Sequence, residues 1–262
     1  MKTNQDLKSF YEAIYQKGEQ SYFSKFENGA NKSENDDIVM KNLSDVKGKT
    51  VLDIGCGTGE LIYRIAKQGV SEAYGIDYSE SAIKTAKEKP VVNNCHFSTT
   101  DFNDWDQPVD LIISCGTFEH MDEPWTMMKK VSNLLQTGGE LILTCPHFYN
   151  FRGIVWISLQ KLLGVPMSLT DVHSISPADM MKWGKEAGLN LEVVESYDYE
   201  RANGKWMIQD MKKRLTNALR DAELANDNVD SLLNWFEDLI IYNNDNRITM
   251  DGANCLYKFV KN

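Results

Sequence analysis

The sequence of 262 residues predicts an α/β fold with a parallel, doubly wound sheet. Three observations predict it. Val51, Leu52 and Ile54 form a short apolar run without polar alternation, as in a strand covered on both faces. Gly55, Gly57 and Gly59 follow at once, and Leu61, Ile62, Ile65 and Ala66 then recur at helical spacing. The same strand–helix rhythm repeats five times by about residue 146.

In chain order, Leu7, Phe10, Tyr11, Ile14 and Tyr15 mark an apolar helix face within residues 5–27, with Gly18 as its stop. This helix packs on the domain, caps a bound ligand, or does both. Residues 28–37 are polar and read as a loop. A second strand runs from Glu72 to Ile76 and ends at Asp77; Ser79 then caps a helix through Ala82, Ile83 and Ala86 to Lys89, stopped by Pro90. Residues 95–98 make a third strand and Val109–Cys115 a fourth. A helix from Pro124 to Leu135 ends at Gly138-Gly139, before a fifth strand at Leu141-Ile142-Leu143. Residues 148–169 read as a lid or packing helix with Trp156, Leu159, Leu162 and Leu163 on one side. Arg152, Gln160 and Lys161 interrupt it, so no run of ~20 apolar residues is available to span a bilayer. Ser176-Pro177 starts a helix to Ala187, Leu189–Tyr197 and Asn254–Val260 are strands, and residues 204–242 between them are mostly helical. The parts divide as an N-terminal cap (1–45), a core (46–146), a lid with the sixth strand (147–203), and a helical insertion with the final strand (204–262), in one compact domain.

Composition narrows the function. A net charge of −10 disfavours a nucleic-acid substrate, which needs a concentrated basic surface. Five cysteines, odd in number and without C-x-x-C spacing, indicate neither a disulfide framework nor a thiolate zinc site. Met1–Asp6 lacks the apolar core of a signal peptide, so a reducing cytoplasm is expected.

A strand feeding a glycine turn and a helix N-terminus is a site for a nucleotide. The dinucleotide pattern G-x-G-x-x-G fails here because position 60 is Glu60, and no Tyr-x-x-x-Lys-type site stands near the fourth and fifth strands, which disfavours a nicotinamide oxidoreductase. Asp77 lies at the end of the second strand, where a carboxylate can accept both hydrogen bonds of a ribose diol; it also fits a turn that caps the Ser79 helix. Asp101-Phe102 can meet an adenine edge and ring, or form a loop turn.

Asp53-Ile54-Gly55-Cys56-Gly57-Thr58-Gly59 resembles motif I of class I S-adenosylmethionine-dependent methyltransferases. Ser114-Cys115-Gly116-Thr117-Phe118-Glu119-His120-Met121 and Asp122-Glu123-Pro124-Trp125 resemble the segment after strand four in the group that includes ubiquinone-biosynthesis enzymes. With Asp77 and Asp101, the resemblance covers residues 48–146. It implies a Rossmann-like seven-stranded sheet with the last strand antiparallel and helical lid additions. It implies S-adenosylmethionine as cofactor, S-adenosylhomocysteine as product, and cofactor contacts from Tyr15, Asp53, Gly55, Cys56, Gly57, Thr58, Gly59, Asp77, Tyr78, Asp101, Phe102, Ser114, Cys115 and Gly116. Cys145–Phe148 and Pro166–His173 are similar to methyltransferases of sugar or polysaccharide modification, although no residue there shows a sugar.

Methyl transfer is an in-line displacement that needs alignment and exclusion of water, and a hydroxyl acceptor also needs a base. His120, His173 and His147, in that order, are the candidates; His96 reads as structural. Glu119-His120 also resembles the metal-binding Glu-x-x-Glu-His of small-RNA 2′-O-methyltransferases, but Gly116 replaces the first acid and no metal is expected. The expected partner is a small polar acceptor, a sugar or nucleotide sugar among the choices, with no nucleic acid and no membrane span; a homodimer stays open. The alternatives are N-methylation of a small amine and a non-catalytic cofactor-binding module.

Overall fold

The computed structural model describes residues 4–16, 32–165, 173–246 and 251–262. Its strands are β1 (Thr50–Ile54), β2 (Glu72–Asp77), β3 (Cys95–Thr99), β4 (Val109–Cys115), β5 (Leu135–Pro146), β6 (Leu189–Tyr197) and β7 (Asn254–Lys261). They form one seven-stranded sheet in the order β3-β2-β1-β4-β5-β7-β6. The first five pair in parallel, and β7 runs antiparallel between β5 and β6. The doubly wound, seven-stranded sheet with an antiparallel last strand is therefore as expected.

The helices are α1 (Asn4–Gln16), α2 (Lys32–Asn42), α3 (Glu60–Ala66), α4 (Glu80–Lys87), α5 (Pro124–Leu134), α6 (Phe151–Leu163), α7 (Pro177–Glu186), α8 (Tyr199–Asn203), α9 (Lys205–Asp221) and α10 (Val229–Asn246). Alternation along β1 sends Leu52 and Ile54 to one face, where Met128 and Val131 of α5 and Met180 of α7 cover them. Val51 faces the other side with Ile38 and Val39 of α2 and Leu61, Ile62 and Ile65 of α3. Both faces are buried, which is why β1 reads as a continuous apolar run. A third cluster joins Trp156 of α6, Met207, Met211 and Leu215 of α9, and Leu233, Phe236 and Ile240 of α10. This is the helical addition expected around residues 204–242.

Four expectations need correction. Residues 32–37, expected in a loop, are the first half of α2. Its stripe is only Ile38 and Val39 wide, and its acids instead reach Arg64 of α3, with Asp37 at 2.8 Å. The helix before β5 stops at Leu134, and Gly138-Gly139 lie within β5. Pairing jumps there from Val109–Leu135 to Leu111–Glu140, so residues 136–139 bulge from the ladder. Leu162 and Leu163 do not share the buried side of Trp156; they are 80% and 56% exposed at the helix end. The helix begun by Ser79 ends at Lys87 rather than Lys89. Gly18, Tyr22, Phe23 and Phe26, and residues 166–172, lie outside the described residues.

Gly184 of α7 shows how closely helix meets sheet. A Cβ there would lie 2.4 Å from a ring carbon of the fully buried Phe259. Gly184→Ala is expected to lower stability by ~1–3 kcal/mol in denaturant unfolding, because overpacking outweighs the helix propensity of alanine.

Candidate active site

The turn after β1 is built by backbone. Gly55 and Cys56 both donate from N–H to the Ile76 carbonyl at 2.9 and 3.0 Å, which pins the turn to the end of β2. Gly57 donates to Asp77 Oδ2 at 3.0 Å, and Ser79 N–H donates to Asp77 Oδ1 at 2.9 Å. Asp77 thus forms the turn that caps the Ser79 helix. It braces the glycine turn and the α4 N-terminus, and each oxygen keeps acceptor capacity for a diol. Burial raises its pKa, the bonds from Ser79 and Gly57 work against that, and the charge of Glu12 adds to the rise.

Two of the glycines are required by what lies over them. Gly55 has φ +73°, and a Cβ would meet Thr117 Oγ1 at 2.4 Å. Gly57 has φ +53°, and a Cβ would meet the Tyr15 hydroxyl at 2.8 Å. Tyr15 therefore lies directly on the turn.

Helix α1 carries polar contacts into this region. Tyr11 and Tyr15 share a face at i, i+4 spacing. The Tyr11 hydroxyl stands 3.0 Å from His120 Nε2, and its ring lies edge-on to Tyr78 with centroids 6.4 Å apart. Glu12 accepts from Ser79 Oγ at 2.6 Å and from Ser81 Oγ at 2.5 Å, placing a carboxylate at the positive end of α4. Burial raises the Glu12 pKa, but the bonds from Ser79 and Ser81 outweigh it and the net shift is downward.

After β4 the chain turns through Gly116 at φ +61° into a short 3-10 turn, Phe118–His120. Phe118 and Glu119 are buried, and His120 is half-buried at the rim. His173 joins the same segment: its N–H donates to the Glu119 carbonyl at 3.1 Å, and its Nε2 lies 3.0 Å from the Asp122 carbonyl. His147 is placed elsewhere. It is buried after β5, with Nε2 2.9 Å from Asp251 Oδ2 and its N–H on the Ala253 carbonyl. His96 is exposed on β3 and bonds Glu72 at 2.7 Å.

The remaining candidates are placed as follows. Asp53 and Thr58 are buried, and Gly59 has φ +75° against the Phe97 ring. Burial first, and then the charge of Asp53, push the Cys56 and Cys115 thiols up, so neither is a thiolate. Ser114 Oγ donates to the Ile54 carbonyl at 3.4 Å. Asp101 caps a short turn by accepting from Asn103 N–H at 2.8 Å. Phe102 is buried, with Lys130 Nζ 4.9 Å from its ring centroid. Among the described residues, no His, Cys, Asp and Glu cluster has the geometry of a metal site, and no helix is long and apolar enough to cross a membrane.

Sequence reasoning missed Tyr11 and Glu12 as site residues. The i, i+4 pair of tyrosines was a usable signal; nothing local marks Glu12, whose partners lie 67 and 69 residues away.

The ubiquinone biosynthesis O-methyltransferase of Alkalilimnicola ehrlichii is 28% identical over 185 residues, covering 66% of this chain and 74% of the relative. The tRNA U34 carboxymethyltransferase of Alteromonas mediterranea is 32% identical over 117 residues, 41% of this chain and only 35% of that protein. The magnesium protoporphyrin IX methyltransferase of Synechocystis, solved with bound S-adenosylhomocysteine, superposes with a TM-score of 0.59 at 16% identity over 98% of this chain and all of that one. The profile described as a methyltransferase domain matches residues 45–234, the sheet core together with most of the helical addition, and the chain belongs to that family, the class I S-adenosylmethionine-dependent methyltransferases.

Proposed function

We propose that the protein methylates a hydroxyl of a small polar acceptor, with His120 as the base. The single observation that carries this reading is the Tyr11–His120 contact, which sets an imidazole beside the glycine turn and under α1. The residues present fit the cofactor: a turn of exposed backbone N–H groups, Asp77 at the ribose position, and Tyr15 laid over Gly57. When bound, S-adenosylmethionine supplies an activated methyl group on sulfur and departs as S-adenosylhomocysteine.

The chain's own part is positioning. Tyr11 holds the His120 ring, and His120 takes the proton of the acceptor hydroxyl as its oxygen closes on the methyl carbon. Helix α1, latched by Glu12 to Ser79 and Ser81, excludes water from that contact. His173 stiffens the His120 segment through Glu119 and Asp122, a positioning role. The O-methyltransferase name of the Alkalilimnicola relative supports O-transfer. Five free cysteines support a reducing cytoplasm.

Calorimetry with S-adenosylhomocysteine, and with NAD as comparison, tests the cofactor half. Micromolar binding of the former alone is expected; preference for NAD would overturn the reading of residues 50–59. A panel of phenols, sugars, nucleotide sugars and amines then tests the acceptor half. Turnover of amines alone would replace the O-directed reading, and no turnover of any acceptor would favour a binding module.

A further inference from the structure

The loop after β3 carries Asp101 to the rim of the sheet, and a lysine from α5 fixes it there. Asp101 is exposed, two residues past Thr99 at the end of β3. The next residues, Phe102–Asp104, form a 3-10 turn anchored by two buried aromatic side chains, Phe102 and Trp105. The Trp105 ring packs on Tyr74 of β2 with centroids 5.2 Å apart. Thr100 N–H donates to the Asp77 carbonyl at 3.1 Å, which ties this loop to the residue that braces the glycine turn. At ~4.8 Å per strand, a base attached to a ribose at Asp77 reaches the end of β3 by crossing one strand.

Lys130 grips the turn through its backbone. Its Nζ donates to the Phe102 carbonyl at 2.6 Å and to the Asn103 carbonyl at 2.5 Å. Both bonds are charge-assisted. Burial lowers the Lys130 pKa most, while the charges of Asp101, Asp104 and Asp106 raise it. One ammonium therefore sits in the field of three carboxylates that otherwise repel one another.

The peptide between Phe102 and Asn103 links the lysine to Asp101. Its carbonyl is held by Lys130, and its N–H donates to Asp101 Oδ1 at 2.8 Å. A peptide group is planar, so fixing the carbonyl also fixes the direction of the N–H. Polarising the carbonyl strengthens that N–H as a donor. The Asp101 carboxylate is thus oriented without being consumed: among the described residues it takes this one hydrogen bond. Each carboxylate oxygen has two lone pairs, so acceptor capacity remains at the rim.

We infer that Lys130 is a positioning residue that, through the Phe102–Asn103 peptide, aims the Asp101 carboxylate at the amino group of the cofactor's adenine. A carboxylate accepts from that amine and repels a carbonyl oxygen standing in its place, so the turn separates adenine from hypoxanthine. An unclamped Asp101 would have to be ordered on binding, and the clamp orders it beforehand. This role rests on the methyltransferase reading, with the ribose at Asp77.

Calorimetry tests it with S-adenosylhomocysteine and S-inosylhomocysteine, in which an oxygen replaces the adenine amine. The wild type should bind the former at least ~10-fold more tightly, the worth of one charge-assisted hydrogen bond. Lys130→Met keeps an unbranched apolar stem and removes the donors. It should weaken S-adenosylhomocysteine by the same factor, leave S-inosylhomocysteine nearly unchanged, and so abolish the preference. Lys130→Arg, which keeps charge and donors, should restore most of it. Asp101→Ala should abolish the preference on its own and add no loss to Lys130→Met, because the two residues act along one path. If Lys130→Met fails to fold, Lys130→Gln, which lacks the charge, takes its place. Equal weakening of both ligands would mean that Lys130 only stabilises the fold, and an unchanged preference would mean that Asp101 needs no clamp; either overturns the role. Wild-type binding of S-adenosylhomocysteine without any preference would overturn it too and leave the methyltransferase reading intact. Wild-type binding of neither ligand would strike that reading, and the role of Lys130 with it.

Discussion

His120→Asn is expected to lower kcat by at least ~100-fold and to leave S-adenosylhomocysteine affinity within about twofold. General base catalysis is worth ~10²–10⁴ in rate, and asparagine keeps the volume and a hydrogen bond to Tyr11 while losing the basic nitrogen. Tyr11→Phe should cost less, because the imidazole remains and only its orientation is loosened; its readout is a displaced pH–rate profile. Rate assays paired with calorimetry separate the outcomes. Retained turnover in His120→Asn would point to an amine acceptor, which needs no strong base. Parallel loss of cofactor affinity would mean that His120 belongs to the cofactor pocket.

Asp77→Asn should weaken S-adenosylhomocysteine binding by at least ~100-fold. Two charge-assisted hydrogen bonds at ~1.5–3 kcal/mol each are lost, and the amide NH₂ must face either Gly57 N–H or Ser79 N–H, both of them donors. The wild type carries a pH signature of the same residue. Burial raises the Asp77 pKa, so the carboxylate is protonated at a higher pH than an ordinary aspartate near ~4. Affinity should be full at neutral pH and fall as acid passes that raised value. Stability of the unliganded protein follows the opposite sign. The contribution of this group is fully present below its unfolded pKa and is lost as pH rises through the folded one. Titrations between pH 4 and 8 in wild type and Asp77→Asn would check both; an affinity independent of pH would count against Asp77 as the ribose acceptor.

Much of the core was legible because its signals are local. The run Val51–Ile54, the glycine turn and the Ser79 cap each depend on residues within a few positions, and each formed as read. Helix α2 was not legible, because Lys32–Asp37 is all polar and its burial is contributed by two residues that follow. The start of β5 was obscured by Gly138-Gly139, which resemble a stop but serve a bulge against β4. For the site, the cofactor side could be read from motif spacing. The proposed acceptor side depends on contacts such as Tyr11–His120, 109 residues apart, which no local pattern encodes. Arg152, read as a break in an apolar run, gains its meaning only when Asp210 is folded against it.

The position of β7 inside the sheet has a consequence for synthesis. Among the described residues, strand β6 pairs with β7 and with no other strand, yet residues 198–253 separate them. At ~5–20 residues per second on a ribosome, β6 waits ~3–11 s for its neighbour. During that interval β5 also lacks the partner that will cover its outer edge. The nascent chain therefore presents two unpaired strand edges while the helices between them are being made. Glu192 and Glu195 on β6 place charge along one of those edges, a safeguard against pairing with another nascent chain.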